Sequence, residues 1–434
     1  MSNKIKIILI AIFAIIILII GVYLYNKSRG IPVGNPNVSI YQKFNPFGSA
    51  SDVISNINKN DNNTNNPTKK NGVVLQNSRF HKITEFAVSG AAYFEEKKEI
   101  PAVVDNTVIT PITTTKTTKN KLVAPPVSIP NYEVTPSIRY VEKATGHIYQ
   151  MNLKTRAQGE ISNSTVPGVY EAIFGNGANS VIYRYPSTDN KSITSFVSSL
   201  TNKNSSFLAS DITSISLSPD KNSYFSLIKN IKGVAGTVSN FNDVKTSNIF
   251  TSSFSEWLPQ WVTNQSIYIT TKPSYLVNGD IFNLDIQSGT LTKILGGIPG
   301  LTTLTSGDGK SFLFGASLNT GPKLNVYNIN GRISIDLKIY GLPEKCVWSS
   351  DNINVYCAVP NTIIGNQFPD IWYKGLVSFD DKFVKINTNN QDIATLANSS
   401  SEIPVDATNL FLSKNEDGLF FINKKDGTLW KFDL

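Results

Sequence analysis

The sequence has few of the residues on which most active sites and metal sites depend. Among 434 residues there are two cysteines and two histidines, and charged residues make up only 17%. Nucleophile-elbow, Cys-x-x-Cys, EF-hand, dinucleotide and phosphate-loop motifs are absent. We therefore nominate no catalytic, cofactor-binding or metal-binding residue, and we expect no cofactor.

The positive charge of the chain is also unclustered. The formal net charge is +8, but the lysines are scattered and no arginine-rich run or basic helix occurs. Nucleic-acid binding depends on a basic patch or stripe. We therefore expect no nucleic-acid partner and interpret the lysines as part of a solvated surface.

One long hydrophobic run lies near the N-terminus. Residues 7–25 (IILIAIFAIIILIIGVYLY) carry no charge, and as a helix they would span about 28 Å, the thickness of a bilayer core. The segment that follows offers no small-x-small site for a signal peptidase. We therefore predict a transmembrane anchor over residues 1–29, held in the lipid bilayer by residues 7–25. The amino terminus adds one positive charge to otherwise balanced flanks, which favours a cytoplasmic N-terminus and an extracytoplasmic C-terminal domain.

Polar segments follow the anchor and interrupt the rest of the chain. Residues 30–72 are rich in Asn and Lys and predict a flexible tether, because such a composition cannot offset the entropy of ordering. Within them, the aromatic stretch 41–48 (YQKFNPFG) is either a docking element or a casual apolar cluster. Residues 97–130 predict a disordered insertion in the folded domain, and residues 361–381 predict an ordered one.

A strand–turn–strand unit recurs from about residue 73 onward, without helical periodicity. Turns centred on Asn176, Pro219, Asn264, Asp308 and Asp351 follow one another at steps of 43, 45, 44 and 43 residues. A period in the forties is typical of a β-propeller with four strands per blade.

Seven runs of β-branched and aromatic residues occupy equivalent places in these units: 138–141, 181–183, 224–225, 267–269, 312–314, 355–357 and 419–421. The chain stops after a third strand, and residues 73–83 can supply the missing fourth strand. We predict an all-β, seven-bladed propeller over residues 73–434, with four-stranded antiparallel blades, the last of them closed by an N-terminal strand, preceded by one transmembrane helix.

The repeat resembles the WD-repeat-like propellers of the Tol-associated type. The segments RYVEKATGHIYQMNLKT (139–155), STVPGVYEAIF (164–174) and KCVWSSDNINVYCAVP (345–360) are more similar to uncharacterised membrane-anchored bacterial propeller proteins. The resemblance covers residues 73–434 and implies an anchored propeller, with no assigned activity and no functional residues. The Trp-Asp dipeptide of true WD repeats is absent, so the partners of that family are not implied.

The two cysteines flank one predicted hairpin turn at Asp351 and Asn352. A two-residue turn pairs residue 350 with 353, and therefore places Cys346 opposite Cys357. We predict a disulfide, which suits an oxidising exterior. Two buried free thiols are the alternative.

Aromatic residues in loops are the best candidates for an interaction surface. Phe368, Trp372 and Tyr373 lie in the 361–381 insertion, and Tyr275 lies in another loop of the same predicted face. Such residues often anchor partners. They also often pin a long loop to its scaffold, and both interpretations stay open.

Together these features favour a membrane-anchored extracytoplasmic β-propeller that acts as a binding or scaffolding module of the cell envelope. Its partner would be a protein, peptide or glycan. The alternatives are an extracytoplasmic glycan-active hydrolase or lyase on a propeller scaffold, and a purely structural envelope component. Acidic or histidine side chains around the central channel would favour the enzyme, whereas an aromatic, largely uncharged outer face would favour binding.

Overall fold

The computed structural model describes residues 79–100, 131–188, 190–242, 246–398 and 403–434. Within these ranges, no helix has both the length and the apolar character needed to cross a membrane. The predicted anchor, tether and aromatic stretch 41–48 all lie outside the described residues.

The described residues form 28 strands and two short helices. The first thirteen strands are β1 (Phe80–Lys82), β2 (Val88–Ile100), β3 (Asn131–Glu142), β4 (Ile148–Asn152), β5 (Gln158–Ser162), β6 (Glu171–Gly175), β7 (Ser180–Pro186), β8 (Ile193–Ser199), β9 (Ser205–Phe207), β10 (Ile212–Leu217), β11 (Ser223–Asn230), β12 (Gly233–Asn240) and β13 (Thr246–Ser252). The others are β14 (Trp257–Trp261), β15 (Ser266–Thr271), β16 (Asn278–Asp285), β17 (Leu291–Pro299), β18 (Thr302–Thr305), β19 (Ser311–Leu318), β20 (Gly321–Asn328), β21 (Ile333–Tyr340), β22 (Cys346–Trp348), β23 (Asn354–Pro360), β24 (Asp381–Asn387), β25 (Ile393–Asn398), β26 (Ala407–Leu412), β27 (Gly418–Asn423) and β28 (Leu429–Asp433). The helices are a 3-10 turn at Pro343–Lys345 and α1 at Asp370–Tyr373.

The strands pair into seven antiparallel sheets of four strands each, which confirms the predicted seven-bladed propeller. Blade one is β2 to β5, and each later blade takes the next four strands, up to β22 to β25 in blade six. Blade seven consists of β26, β27, β28 and, as its fourth strand, β1.

The N-terminal strand closes the last blade. Phe80 lies opposite Phe432, and Lys82 lies opposite Trp430. The Phe80 ring also packs edge-on against Phe383 of blade six, with centroids 5.3 Å apart. Of the predicted closing strand, residues 80–82 form ladder pairs, and residues 73–78 lie outside the described part of the chain.

The second strand of each blade carries most of the core. In β7, β23 and β27 nearly every side chain is buried, whereas the outer strands β5 and β9 are largely exposed. A strand covered on both faces by neighbouring blades needs a near-continuous apolar run rather than an alternating one. This is why the seven predicted runs all fall in second strands.

The inner strands of blades one and two approach each other closely. A Cβ atom added at Gly90 of β2 would lie 1.9 Å from the carbonyl oxygen of Ala172 in β6. Only glycine fits such an approach between two backbones.

The antiparallel order of each blade decides which loops share a face of the ring. Loops between strands one and two, and between strands three and four, lie on what we call the hairpin face. Loops between strands two and three, and between successive blades, lie on the opposite face, which we call the cap face.

The β2–β3 ladder runs out to Ile100 opposite Asn131, beyond the part of β3 that pairs with β4. Residues 97–100 of the predicted insertion therefore belong to the β2–β3 ladder, and residues 101–130 lie outside the described part of the chain.

Residues 361–380 join β23 to β24 on the cap face, and we call this segment the blade-six cap. It contains α1. Asp381, which the sequence interpretation placed in the insertion, is the first residue of β24 and pairs with Pro360.

Candidate functional site

The blade-six cap has a hydrophobic underside. Phe368, Trp372 and Phe379 are buried there and pack together with Leu342 of the connection between blades five and six. The rings of Phe368 and Phe379 are stacked, with centroids 5.6 Å apart. A single helical turn such as α1 is unstable alone, so this packing holds it in place.

Two of the four predicted interaction residues are therefore unavailable to a partner. Phe368 is 0% exposed and Trp372 is 4% exposed, which disagrees with a place on an interaction surface and fits the other interpretation, that these rings pin the loop to its scaffold. A loop this long needs a core of its own, and these rings supply it. Tyr373 is 43% exposed, and its hydroxyl donates a hydrogen bond to the Glu344 carboxylate. Tyr275 is half-buried.

The cap reaches across blade five and contacts blade four. The carboxylate of Asp370, the first residue of α1, accepts hydrogen bonds from the Ser274 hydroxyl at 3.2 Å and from the Tyr275 N–H at 2.7 Å. The predicted residue Tyr275 thus helps to fix the cap through its main chain. These bonds place the loop that follows Tyr275 beside α1.

Beneath the cap lie three fully buried charged groups, which we call the buried ion cluster. Lys345, Asp381 and Asp406 are each 0% exposed. Lys345 Nζ lies 2.8 Å from Asp381 Oδ2 and 2.6 Å from Asp406 Oδ1. It also donates to the carbonyl oxygen of Ala407, at 2.8 Å. The cluster joins the 3-10 helix, the start of β24 and the residue before β26, and so connects the blade-five/six junction to blades six and seven.

The surroundings of the cluster stabilise Asp406 as an anion. Its carboxylate accepts hydrogen bonds from the Trp372 indole N–H, the Ser378 hydroxyl and the Phe379 N–H, each at 3.1 Å. Burial opposes the charge, but Lys345 and these donors outweigh it and hold the pKa of Asp406 below its usual range. Asp406 is therefore ionised in the folded protein.

The second carboxyl of the cluster, that of Asp381, accepts fewer hydrogen bonds from the protein than that of Asp406. Asp381 Oδ2 accepts from Lys345 and from the Ala407 N–H at 2.7 Å, while its Oδ1 has no hydrogen-bond partner among the described residues. Burial raises the pKa of Asp381 to about 6, despite the attraction of Lys345. The two aspartates thus differ sharply in how readily they take up a proton.

Sequence reasoning missed the buried ion cluster entirely. Its members are 25 or more residues apart, as the separation of Asp381 from Asp406 shows, and each lies at the boundary of a strand. A charged residue at a strand boundary has the same local sequence whether it faces solvent or a partner. No sequence signal distinguishes these three residues from surface charges.

The outer side of the cap exposes several apolar side chains among polar ones. Leu276, Val277, Ile364, Tyr373 and Leu376 form what we call the cap-face patch, with Leu276 76% and Leu376 71% exposed. The five belong to segments tied to α1, since Asp370 holds the blade-four loop and the Leu376 N–H donates to the Ile371 carbonyl at 2.9 Å. Grouped exposed apolar side chains of this kind mark interaction sites.

The predicted disulfide is confirmed. Cys346 and Cys357 lie opposite each other in β22 and β23, with an S–S distance of 2.12 Å. Both residues are buried in the core between blades five and six. The hairpin-register argument therefore gave the correct pairing.

The central channel opens into a cavity of about 430 Å³ bounded by inner strands of blades seven, one, two and three. Among the described residues, the inner strands β2, β6, β10, β14, β18, β22 and β26 contain no histidine, and their carboxylates are Glu171 in β6 and Glu95, Glu96 and Glu99 in β2. Glu95 is paired with Lys414, at 2.7 Å. Glu171 is neutralised by Arg184, at 2.6 Å. The described ranges contain no group of three or more His, Cys, Asp or Glu side chains that could hold a metal ion.

Comparison with known proteins adds the following. No protein-family model matches the chain, and no curated protein matches it. TolB from Acinetobacter baumannii is similar in structure at 14% identity and a TM-score of 0.41, over 59% of this chain and 61% of that one. An oligogalacturonate lyase in complex with manganese is similar at 8% identity and a TM-score of 0.49, over 69% of this chain and 85% of that one.

A further similar structure is the β-propeller domain of the Trilobed protease from Pyrococcus furiosus. It shares 11% identity at a TM-score of 0.47, over 69% of this chain and 89% of that one. The chain spans about three-fifths of the length of TolB. Likenesses at these levels carry no argument about activity or partner. The propeller fold of this chain rests on its own seven sheets.

Proposed function

We propose that the protein is a membrane-anchored, extracytoplasmic binding or scaffolding module of the cell envelope, which recognises a protein, peptide or glycan through the cap face. The observation that carries this proposal is the cap-face patch, an apolar surface raised on a well-packed, covalently braced part of the ring. A rigid support of this kind lowers the entropy that binding would otherwise cost.

The placement in the envelope is supported by sequence and by the disulfide. The uncharged run 7–25 has the length of a membrane-spanning helix. A structural disulfide such as Cys346–Cys357 is typical of oxidising compartments and rare in the cytosol. The repeat pattern resembles that of the WD-repeat-like propellers of the Tol-associated type, and residues 139–155, 164–174 and 345–360 are more similar to membrane-anchored bacterial propeller proteins. Both resemblances fit an envelope role.

The alternative, a glycan-active hydrolase or lyase, has weaker support. Glycoside hydrolysis ordinarily requires a pair of carboxylates facing one substrate. Of the carboxylates on the described inner strands, Glu171 is paired with Arg184 and Glu95 with Lys414, and Glu96 and Glu99 lie in the exposed end of β2. The cavity beside Glu171 is large enough for a small ligand. This supports ligand binding in the channel, which is one part of the alternative.

Site-specific photocross-linking in cells tests the proposal. A photoreactive amino acid is placed at Leu276 or Leu376 of the full chain, and at Phe207 as a matched control, since Phe207 is equally exposed but lies on the outer strand of blade two. We expect the same adduct from Leu276 and Leu376, none from Phe207, and loss of the Leu276 adduct when Leu376→Glu is added. Adducts that form equally at Phe207, or not at all at the patch, would overturn it.

A further inference from the structure

The buried ion cluster has the composition and geometry for a covalent reaction. A primary amine, Lys345 Nζ, contacts two carboxyl groups at 2.8 and 2.6 Å, and all three groups are sealed from water. In water, hydration keeps an ammonium and a carboxylate charged and unreactive toward each other. Here that hydration is removed and the groups are held in contact, which is how oriented groups react at high effective concentration.

We propose that Lys345 and Asp381 condense into an intramolecular amide (isopeptide) bond, with Asp406 relaying the proton. The product is a covalent link between the Lys345 side-chain nitrogen and Cγ of Asp381. No oxidant, metal or co-reactant is needed, since the reaction only releases water.

The hydrogen bonds assign the two carboxyl groups to different roles. Asp406 is held as an anion by Trp372, Ser378 and Phe379, so it serves as the proton acceptor. Asp381 is the carboxyl that burial keeps protonated most readily, and a neutral acid is a far better electrophile than a carboxylate. Its unpartnered Oδ1 is free to carry that proton and to leave. Two carboxyls with divergent proton affinities are the usual mark of an acid and base pair.

The step balances in atoms and charge. The ammonium of Lys345 gives one proton to Asp406, and the neutral amine attacks Cγ of protonated Asp381. The oxygen of the resulting tetrahedral intermediate that becomes the amide carbonyl is Oδ2, which accepts the Ala407 N–H bond throughout. Asp406 then returns the proton to the departing Oδ1 hydroxyl, which leaves as water. Asp406 finally takes up the second proton of the amide nitrogen. One Lys345 ammonium, one neutral Asp381 acid and one Asp406 carboxylate have thus become one neutral amide, one water and one protonated Asp406.

The surroundings favour the product over the ion pair. Lys345 Nζ lies 5.3 Å from the centre of the Trp372 ring and 5.4 Å from that of Phe379, so its pocket is walled by aromatic carbon. Burying a charge pair carries a desolvation penalty that the attraction between the charges often fails to recover. The amide removes two buried charges, and Asp406 keeps its three hydrogen-bond donors.

The bond would brace the base of the blade-six cap. Lys345 directly precedes Cys346 of the disulfide, and Asp381 directly follows the last residue of the cap. The disulfide would tie β22 to β23, and the amide would tie the residue before β22 to β24. A covalent bond between Lys345 and Asp381 would hold the base of the blade-six cap against the ring.

The test is the intact mass of the purified full chain after reduction of its disulfide. We expect a mass lower than that of the sequence by one water molecule. Fragment ions of the digested protein must then join the Lys345 side chain to Asp381. Fragment ions are needed because the tryptic peptides 339–374 and 375–382 are adjacent in sequence, so a linked pair has the mass of an uncleaved peptide.

Two variants control the measurement. Lys345→Arg keeps a positive charge but lacks the reactive amine, and it should regain the full sequence mass. Lys425→Arg changes the partly exposed pair that Lys425 forms with Asp380 at 2.8 Å, and it should keep the water loss. An unmodified mass in the natural protein, a link at Asp406, or the same water loss in Lys345→Arg would each overturn the proposal. The first of these needs no variant to fold.

Discussion

Replacing Phe368 with alanine is the perturbation that most directly weakens the blade-six cap. The side chain is fully buried among Leu342, Trp372 and Phe379; Leu342 lies outside the cap, and Trp372 is held by its hydrogen bond to Asp406. Truncation of a fully buried phenylalanine costs about 3–5 kcal/mol. Because the cap is one loop of a large ring, we expect this cost to appear as local opening of the cap and not as unfolding of the propeller.

Hydrogen exchange measures that opening directly. The Lys374 N–H donates to the Asp370 carbonyl and the Leu376 N–H to the Ile371 carbonyl, so both amides report on the cap. In Phe368→Ala they should exchange roughly a hundred- to several-thousand-fold faster, while amides of distant blades stay unchanged. Leu376→Ala is the control, since a change at an exposed position of the same cap should stay within about 0.5 kcal/mol. Equal exchange in the two variants would refute the account of how the cap is held.

Two further predictions concern the disulfide within blade six and the ionised Asp433 at the closing strand of blade seven. Replacing Cys346 and Cys357 together with alanine should lower the free energy of unfolding in urea by about 3 kcal/mol, the loop-closure value for a sequence separation of 11; an unchanged midpoint would contradict this. Burial opposes ionisation of Asp433, but hydrogen bonds from Lys431 and His81 outweigh it and lower its pKa, so its contribution is present above about pH 4 and is lost as pH falls further. Asp433→Asn should therefore flatten the acid limb of the stability profile by less than about 1 kcal/mol, since the pair is partly exposed; a parallel shift at all pH values would contradict this.

The repeating part of the fold could be predicted from sequence because it depends on local patterns of residues. Each second strand is flanked by a turn and filled with apolar residues, and both signals recur at one period. The Cys346–Cys357 pairing followed from one turn, since register in a hairpin is fixed once its turn is known. The closing strand was deducible because one blade lacked a partner for β28.

Of the candidate site, the sequence indicated the insertion and the exposed Tyr373. The rest could not be predicted, because its contacts join distant parts of the chain. The cap sequence contains exposed and buried hydrophobic residues side by side, and only the positions of Leu342 and Asp406 decide that Trp372 points inward. The charged stretch 95–99 (EEKKE) was assigned in part to a loop, yet it continues β2. A hairpin that is exposed on both faces tolerates charges that a blade interior would exclude.

The central claim is that the cap face is displayed outside the cytoplasmic membrane, and side-specific thiol labelling tests it. Native Cys346 and Cys357 are bonded to each other, so Leu376→Cys introduces one reactive, exposed thiol on the cap face. Asn3→Cys provides the matched reporter for the predicted cytoplasmic N-terminus. The cells are first freed of any outer membrane and cell wall, so that the reagent reaches the cytoplasmic membrane. The account predicts that a membrane-impermeant maleimide then labels Leu376→Cys without permeabilisation and Asn3→Cys only after permeabilisation. The reverse pattern, or labelling of both only after permeabilisation, would contradict the proposed topology and the envelope function with it.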